Sequence, residues 1–271
     1  MAILQAGPWS IDYAEAGAGP PVILIHSSVS GNRQWRRLLD DLADRYRLLA
    51  INLFGYGATT PWPGERPQTL EDQVELVAAL AGEVPGPLHL VGHSFGGAVA
   101  MKAAVAFGPR VSRLVLLEPN PFAQLAAQGR TAAFEEIQSL CAHVKGCARA
   151  GDWPKAGADF ADYWLGAGAW AAMPGERRRA FLDSLPANLH EWDAVMNDAT
   201  PLAAWREITA ETLVIRAART KRPIVEIAEL LAAACPHWRF AEVPEGGHMA
   251  PVLRPDLVNP VVAAFLDGRL E

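Results

Sequence analysis

Short, nearly continuous runs of Val, Ile and Leu recur along the chain, and each has the length of a β-strand. Apolar side chains at every position, rather than at alternate positions, are typical of strands that are covered on both faces, as in a parallel sheet. These runs are Val22–Ile25, Leu48–Asn52, Leu88–Val91, Leu114–Leu117 and Leu213–Ile215.

The segments between these runs have apolar residues three or four positions apart, which predicts amphipathic helices. In the first of them, Trp35, Leu38 and Leu42 fall at such spacings. Alternation of strands and helices is typical of an α/β fold with a doubly wound, mostly parallel sheet. The predicted helices are Arg33–Ala43, Leu70–Leu80, Gly97–Phe107, Val225–Ala234 and Pro255–Leu266.

Two segments depart from this alternation. Trp9–Ala14 alternates between apolar and polar residues and runs into a glycine-containing turn at 16–19, which predicts an antiparallel edge strand or hairpin. Residues 121–205 have helical patterns without a convincing strand, and they hold five of the nine tryptophans. We therefore expect a core of residues 1–120 and 206–271 and a helical insertion at 121–205.

Composition limits the classes of protein to consider. Hydrophobic residues make up 51% of the chain, which excludes a disordered protein, and three cysteines do not form a disulfide framework. A net charge of −6 argues against a nucleic-acid partner, since phosphate binding needs a basic surface. No run reaches the ~20 apolar residues of a membrane span, and no signal peptide is recognisable. We expect a cytoplasmic protein.

A Gly-x-Ser-x-Gly motif at Gly92, Ser94 and Gly96 lies between the predicted strand Leu88–Val91 and the helix that follows. A sharp turn between a strand and a helix exposes the serine hydroxyl, and glycines two residues away avoid collisions at that turn. The helix N-terminus supplies free N–H groups where an oxyanion would form. This context predicts that Ser94 is a nucleophile.

A serine nucleophile needs a base to accept its proton. His248 follows a short predicted strand, Arg239–Val243, and precedes the last predicted helix. The glycines before it allow the loop to fold back over the carboxyl edge of the sheet. We therefore predict His248 as the general base.

On these residues the chain resembles the α/β-hydrolase superfamily over essentially its full length. The matching pieces are residues 26–31, residues 52–57, the Ser94 turn, and Gly247-His248. The resemblance implies a serine hydrolase with a helical cap, here at 121–205, and without a cofactor or metal. It also implies an oxyanion hole formed by the backbone N–H groups of Phe95 and Ser28. The adjacent Ser27 replaces a glycine of the family pattern.

The catalytic acid departs from the family pattern. Relatives have an Asp near the position of Thr220, and no carboxylate follows here until Glu226. Glu118, at the end of the strand after the Ser94 helix, is the predicted replacement and keeps the order Ser, acid, His. The alternatives are Asp193, Asp198 or Glu226 as the acid, or no acid at all.

The predicted substrate is a small apolar acyl compound with an ester, thioester, lactone or ketonic C–C bond. A cofactor-free perhydrolase and a non-catalytic ligand-binding protein are the alternatives. Residues Cys141, His143 and Cys147 do not match a standard zinc spacing, and we interpret the thiols as buried and structural. The basic loop with Arg219 and Arg222 is interpreted as solvated rather than substrate-binding.

Overall fold

The computed structural model describes residues 2–270, which contain one eight-stranded sheet. Its strands are β1 (Ala2–Ala6), β2 (Trp9–Ala16), β3 (Pro21–Ile25), β4 (Arg47–Ile51), β5 (Leu88–His93), β6 (Val111–Leu117), β7 (Glu211–Ala217) and β8 (Arg239–Val243). The order in the sheet is β1-β2-β4-β3-β5-β6-β7-β8. The strands from β3 to β8 pair in parallel, while β2 pairs antiparallel with both β1 and β4. The predicted mostly parallel sheet is thus confirmed.

Helices connect the strands on both sides of the sheet. They are α1 (Arg36–Leu42), α2 (Leu70–Gly82), α3 (Phe95–Phe107), α4 (Ala123–Ala127), α5 (Thr131–Arg149), α6 (Trp153–Leu165), α7 (Ala169–Ala172), α8 (Gly175–Met196), α9 (Leu202–Arg206), α10 (Arg222–Ala234), α11 (Ala250–Leu253) and α12 (Pro255–Leu266). None of the described helices is both long and apolar enough to cross a membrane.

The continuous apolar runs are explained by burial on both faces of the sheet. In β3, Val22 and Leu24 pack into a core shared with α1 and α12, whereas Ile23 and Ile25 pack into a core shared with α2 and α3. All four side chains are fully buried. Burying a side chain of this size contributes about 1.5–3 kcal/mol, so neither face tolerates a polar residue.

The N-terminal hairpin differs in detail from the prediction. Trp9–Ala14 lies in an antiparallel strand that forms a hairpin with β1, which is the second of the two predicted alternatives. It is not the edge strand, because β1 lies outside it. The turn between the two strands contains Gly7 with a φ of 57°, a conformation that glycine adopts without strain. The short strand β1 escaped prediction because its side chains alternate only between half-buried and exposed positions.

Helices α4–α9 lie between β6 and β7, and no strand occurs in this stretch of the described chain. We call residues 123–206 the helical segment. Among its tryptophans, Trp164, Trp192 and Trp205 are buried, whereas Trp153 and Trp170 are half-buried.

Candidate active site

Ser94 lies at the turn between β5 and α3. Its backbone has a φ of 54° and a ψ of −117°, a left-handed conformation that is unusual for a residue other than glycine. The Ser94 N–H donates to the carbonyl of Leu117 on β6 at 2.9 Å, which ties the turn to the neighbouring strand. Strain of this kind persists only where the surroundings hold it, and it is concentrated at functional sites.

The two glycines of the motif are required by close backbone contacts. A Cβ atom on Gly92 would lie 2.2 Å from the carbonyl oxygen of Gly96, and one on Gly96 would lie 2.2 Å from the carbonyl oxygen of Ile25. Both distances are far below van der Waals contact. The sharp turn at Ser94 therefore depends on the absence of these side chains.

His248 lies directly over the Ser94 hydroxyl, on the loop between β8 and α11. Its Nε2 is 2.8 Å from Ser94 Oγ, and its Nδ1 is 2.7 Å from Glu118 Oε2. Nδ1–H donates to the carboxylate, which leaves Nε2 free to accept the Ser94 proton. All three side chains are buried. The structure thus joins the three residues in one hydrogen-bonded series.

Glu118 follows β6 and has a left-handed φ of 48°. The Ala217 N–H donates to its Oε1 at 2.6 Å, and the Thr220 hydroxyl donates to its Oε2 at 2.6 Å. These donors hold the carboxylate beside His248. Thr220 stands at the position where relatives have an Asp. Its hydroxyl contacts the Glu118 carboxylate rather than the His248 imidazole, and the sequence did not indicate this contact.

The other carboxylates considered as the acid have partners elsewhere. Asp193 pairs with Lys145 at 2.6 Å and Asp198 pairs with Lys102 at 3.0 Å. Glu226 lies 3.9 Å from a guanidinium nitrogen of Arg130. In the described part of the chain, Glu118 is thus the carboxylate in contact with the His248 imidazole.

The two predicted oxyanion donors lie on the wall of one cavity of about 570 Å³, which Ser94 and His248 also line. Phe95 is the first residue of α3, so its N–H has no acceptor within the helix. Ser28 lies in a turn with Val29, whose φ is 61°. The Ser27 hydroxyl donates to Gln34 Oε1 at 2.7 Å, a role within the turn.

Three further side chains at the site escaped the sequence analysis. Trp164 from α6 packs on the His248 ring with a centroid distance of 4.2 Å, and Asn120 Nδ2 lies 3.4 Å from Ser94 Oγ. Glu191 from α8 is a buried carboxyl that lines the cavity. Asn120 could have been identified from the sequence, because it lies two residues after Glu118. Trp164 and Glu191 could not, because only the folded structure brings them to the site.

Two buried histidines support the loops of the site. His93 Nε2–H donates to the carbonyl of His248 at 2.9 Å, and burial together with the neighbouring His248 ring holds the pKa of His93 well below its usual range. His26 Nδ1–H donates to the carbonyl of Ser27 at 2.8 Å, while its Nε2 accepts the Leu53 N–H at 3.1 Å. Both rings are therefore held as neutral imidazoles.

Acidification is expected to destabilise the fold through His26. Burial lowers the pKa of His26 to about 4, against an ordinary value of about 6.5. The unfolded chain therefore binds a proton below pH 6.5 that the folded chain does not bind until about pH 4, so stability is lost as pH falls through this window. For this fully buried group the expected loss at pH 5 is about 2 kcal/mol.

Urea unfolding at several pH values, with His26→Asn as the matched variant, checks this expectation. The variant is less stable than wild type at pH 7 but should lose less stability between pH 6.5 and pH 5. Equal slopes for the two proteins would contradict the assignment to His26.

The two cysteines of α5, the group of potential metal ligands near them and the basic loop all lie away from the cavity. Cys141 and Cys147 are half-buried rather than buried, which corrects the interpretation of these thiols. The donor atoms of His143, Cys147 and Asp159 lie within 4.8 Å of one another, but Lys155 Nζ already contacts the Asp159 carboxylate at 2.8 Å. These residues and the basic loop at 219–222 are not among the residues that line the cavity.

The chain is similar in sequence to known proteins. A model described as "Alpha/beta hydrolase family" matches residues 22–261. The 2-hydroxy-6-oxo-2,4-heptadienoate hydrolase of Pseudomonas putida is 37% identical over 123 residues, which are 42% of this chain and 43% of that relative. The match thus spans less than half the length of this relative.

Solved structures align over nearly the whole chain. A hydrolase from Pseudomonas aeruginosa PA01 is 26% identical with a TM-score of 0.77, and the alignment covers 98% of this chain and 97% of that one. The enol-lactonase from Burkholderia xenovorans LB400 is 18% identical with a TM-score of 0.79, and the coverage is 98% and 100%. The latter likeness is one of fold.

Proposed function

Because the chain belongs to the alpha/beta hydrolase family, we propose that it is a serine hydrolase acting on an ester, thioester, lactone or ketonic C–C bond. The observation that carries this proposal is the hydrogen-bonded series from Ser94 Oγ through His248 to Glu118, with distances of 2.8 Å and 2.7 Å, at the wall of a cavity. A nucleophile, a base and an orienting acid in contact are the requirements for acyl transfer.

In the proposed mechanism, Ser94 Oγ attacks the substrate carbonyl while His248 Nε2 accepts the hydroxyl proton. Glu118 fixes the imidazole tautomer and stabilises the imidazolium. The N–H groups of Phe95 and Ser28 donate to the oxyanion of the tetrahedral intermediate. That intermediate collapses as the bond to the leaving group breaks, and the leaving group takes the proton from His248 Nε2.

The resulting acyl-enzyme is hydrolysed in the second half of the cycle. His248 Nε2 accepts a proton from water as the water oxygen attacks the acyl carbon. A second tetrahedral intermediate then collapses, the bond to Ser94 Oγ breaks, and the serine recovers its proton. No cofactor enters this sequence of steps.

We propose that the helical segment, predicted as residues 121–205, is a cap that shapes the acyl-binding part of the cavity. Phe160, Trp164 and Trp192 line the cavity from the helical segment, and Phe122 adds a further ring beside them. Trp164 also covers the His248 imidazole and so limits the access of water to it. Aromatic walls favour a substrate with an apolar body.

Reaction with a fluorophosphonate probe tests the proposed function. We expect stoichiometric labelling of the wild-type protein and a mass-spectrometric adduct on Ser94, since the probe traps a serine that has a base beside it. Ser94→Ala should not label. Ser139→Ala, which alters an exposed serine on α5 that does not line the cavity, should label like wild type.

An unlabelled wild-type protein would overturn the serine hydrolase and favour the hypothesis of a non-catalytic binding protein. Labelling at a serine other than Ser94 would remove Ser94 from the role of nucleophile.

A further inference from the structure

The turn that carries the proposed oxyanion donor Ser28 contains a strained residue. Val29 has a φ of 61°, a left-handed conformation that a β-branched side chain rarely adopts. No glycine occurs at positions 26–30 of the sequence to relieve this strain. Strained backbone persists only where surrounding groups hold it, so the contacts of this turn decide where the Ser28 N–H points.

The two parts of this turn are held by different side chains. At its start, Gln34 Oε1 accepts the Ser27 N–H at 3.0 Å and the Ser27 hydroxyl at 2.7 Å. At the strained residue, the Val29 N–H donates to the hydroxyl oxygen of Tyr56 at 2.8 Å. The conformation of Val29 therefore depends on the position of this phenol.

Tyr56 is in turn held by Glu191, a buried residue of the helical segment. The hydroxyls of Tyr56 and Ser28 and the amide of Asn188 hydrogen-bond the Glu191 carboxyl. Burial and the neighbouring carboxyl raise the pKa of Tyr56 well above its usual value, so the phenol keeps the proton that it donates. One carboxyl of α8 thus reaches the oxyanion turn directly at Ser28 and through Tyr56 at Val29.

Glu191 is not needed to attach α8 to the rest of the molecule. Leu185, Trp192 and Val195 of the same helix are buried in the main hydrophobic core. A buried carboxyl costs free energy that its hydrogen bonds only offset, whereas these apolar side chains stabilise the packing outright. The contacts of Glu191 with the turn therefore point to a function in the site.

We propose that Glu191 is a positioning residue, which through Ser28 and Tyr56 holds the turn in the conformation that presents the Ser28 N–H to the oxyanion. This inference rests on the proposed serine hydrolase and adds a residue to its machinery. It also makes the oxyanion hole depend on the helical segment, because the turn is held in place only when α8 is packed beside it.

The experiment measures the oxyanion hole separately from the rest of the cavity. A phenethyl trifluoromethyl ketone binds as a hemiketal: Ser94 Oγ adds to the carbonyl carbon, the hydroxyl proton passes to His248, and the carbonyl oxygen becomes an oxyanion. The matching trifluoromethyl alcohol fills the same cavity but forms no oxyanion. The ratio of the two inhibition constants therefore reports on the oxyanion donors.

Replacement of Tyr56 by phenylalanine removes the acceptor of the Val29 N–H. We expect kcat/KM for a p-nitrophenyl ester to fall roughly 10- to 100-fold, mainly through kcat, because a displaced donor acts only in the tetrahedral state. Affinity for the ketone should fall by a similar factor. Affinity for the alcohol should stay within about twofold of wild type, since the cavity is otherwise unchanged.

Variants of Glu191 test the second link. Glu191→Leu should resemble Tyr56→Phe, whereas Glu191→Gln should retain most of the activity, because its amide oxygen still accepts from the two hydroxyls and the Asn188 amide can rotate to accept from its NH₂ group. Tyr56→Phe and Glu191→Leu combined should lose less than the product of the two single losses, since both act on one turn.

Asp193→Asn is the matched control on the same helix. Asp193 pairs with Lys145 at 2.6 Å and does not line the cavity, so this variant should keep the ratio of the two inhibition constants. Thermal unfolding verifies that each variant is folded, and fluorophosphonate titration gives the concentration of competent sites.

A Tyr56→Phe or Glu191→Leu enzyme that binds the ketone as tightly as wild type would overturn the inference alone. Equal losses of affinity for the ketone and the alcohol would also overturn it, because the two residues would then only shape the cavity. If wild type is neither labelled by the fluorophosphonate nor inhibited by the ketone, the proposed function fails and the inference fails with it.

Discussion

Replacement of Ser94 by alanine is expected to lower kcat/KM by roughly 10³-fold or more on any ester that the wild type hydrolyses. The hydroxyl is the proposed attacking group, and the base beside it has no function in acyl transfer without it. What remains is the contribution of the oxyanion N–H groups to attack by water. The measurement is steady-state hydrolysis of a p-nitrophenyl ester at several enzyme concentrations.

The substitution should leave the fold intact, because the backbone of the turn depends on Gly92, Gly96 and the bond from the Ser94 N–H to the Leu117 carbonyl rather than on the hydroxyl. We expect a melting temperature close to that of wild type. Ser139→Ala is the control and should keep full activity, because Ser139 is exposed on α5 and does not line the cavity. Ser94→Ala activity within tenfold of wild type would show that another group attacks the substrate.

The strands that are buried on both faces of the sheet could be predicted from the sequence. Runs such as Val22–Ile25 are apolar at every position because helices cover both faces of the sheet. This pattern can be recognised without knowing which helices cover the strand. The edge strand β1 has no such pattern, since it has a single partner strand and its side chains alternate between half-buried and exposed positions. The hairpin turn at Gly7 places β1 beside β2.

The candidate site could be predicted where local backbone geometry dictates residue type. The Ser94 turn requires glycines at fixed offsets, and Glu118 stands at the end of a recognisable strand. Trp164 and Glu191 carry no local signal, because their relation to His248 and Ser28 exists only after the helical segment has packed on the sheet.

Replacement of Glu118 by glutamine is expected to lower kcat/KM by roughly 10²–10⁴-fold while the shape of the site is kept. The carboxylate accepts from three donors: His248 Nδ1, the Ala217 N–H and the Thr220 hydroxyl. If the glutamine oxygen takes the place of Oε1 and accepts from the Ala217 N–H, its NH₂ group takes the place of Oε2 and faces the Thr220 hydroxyl and Nδ1, both of which must then accept. The imidazole proton moves to Nε2, and the ring can no longer take the proton of Ser94.

Glu226→Gln is the matched control, because Glu226 lies within α10, near Arg130 rather than His248. It should be nearly neutral for activity, and both variants should melt cooperatively. The decisive comparison is therefore the ratio of the two losses in kcat/KM. A fully active Glu118→Gln enzyme, or equal losses in both variants, would remove Glu118 from the proposed role of acid and leave Ser94 and His248 to act as a pair. Thr220→Val refines the interpretation: it removes one donor to the carboxylate but leaves the carboxylate itself, so its loss should be smaller than that of Glu118→Gln.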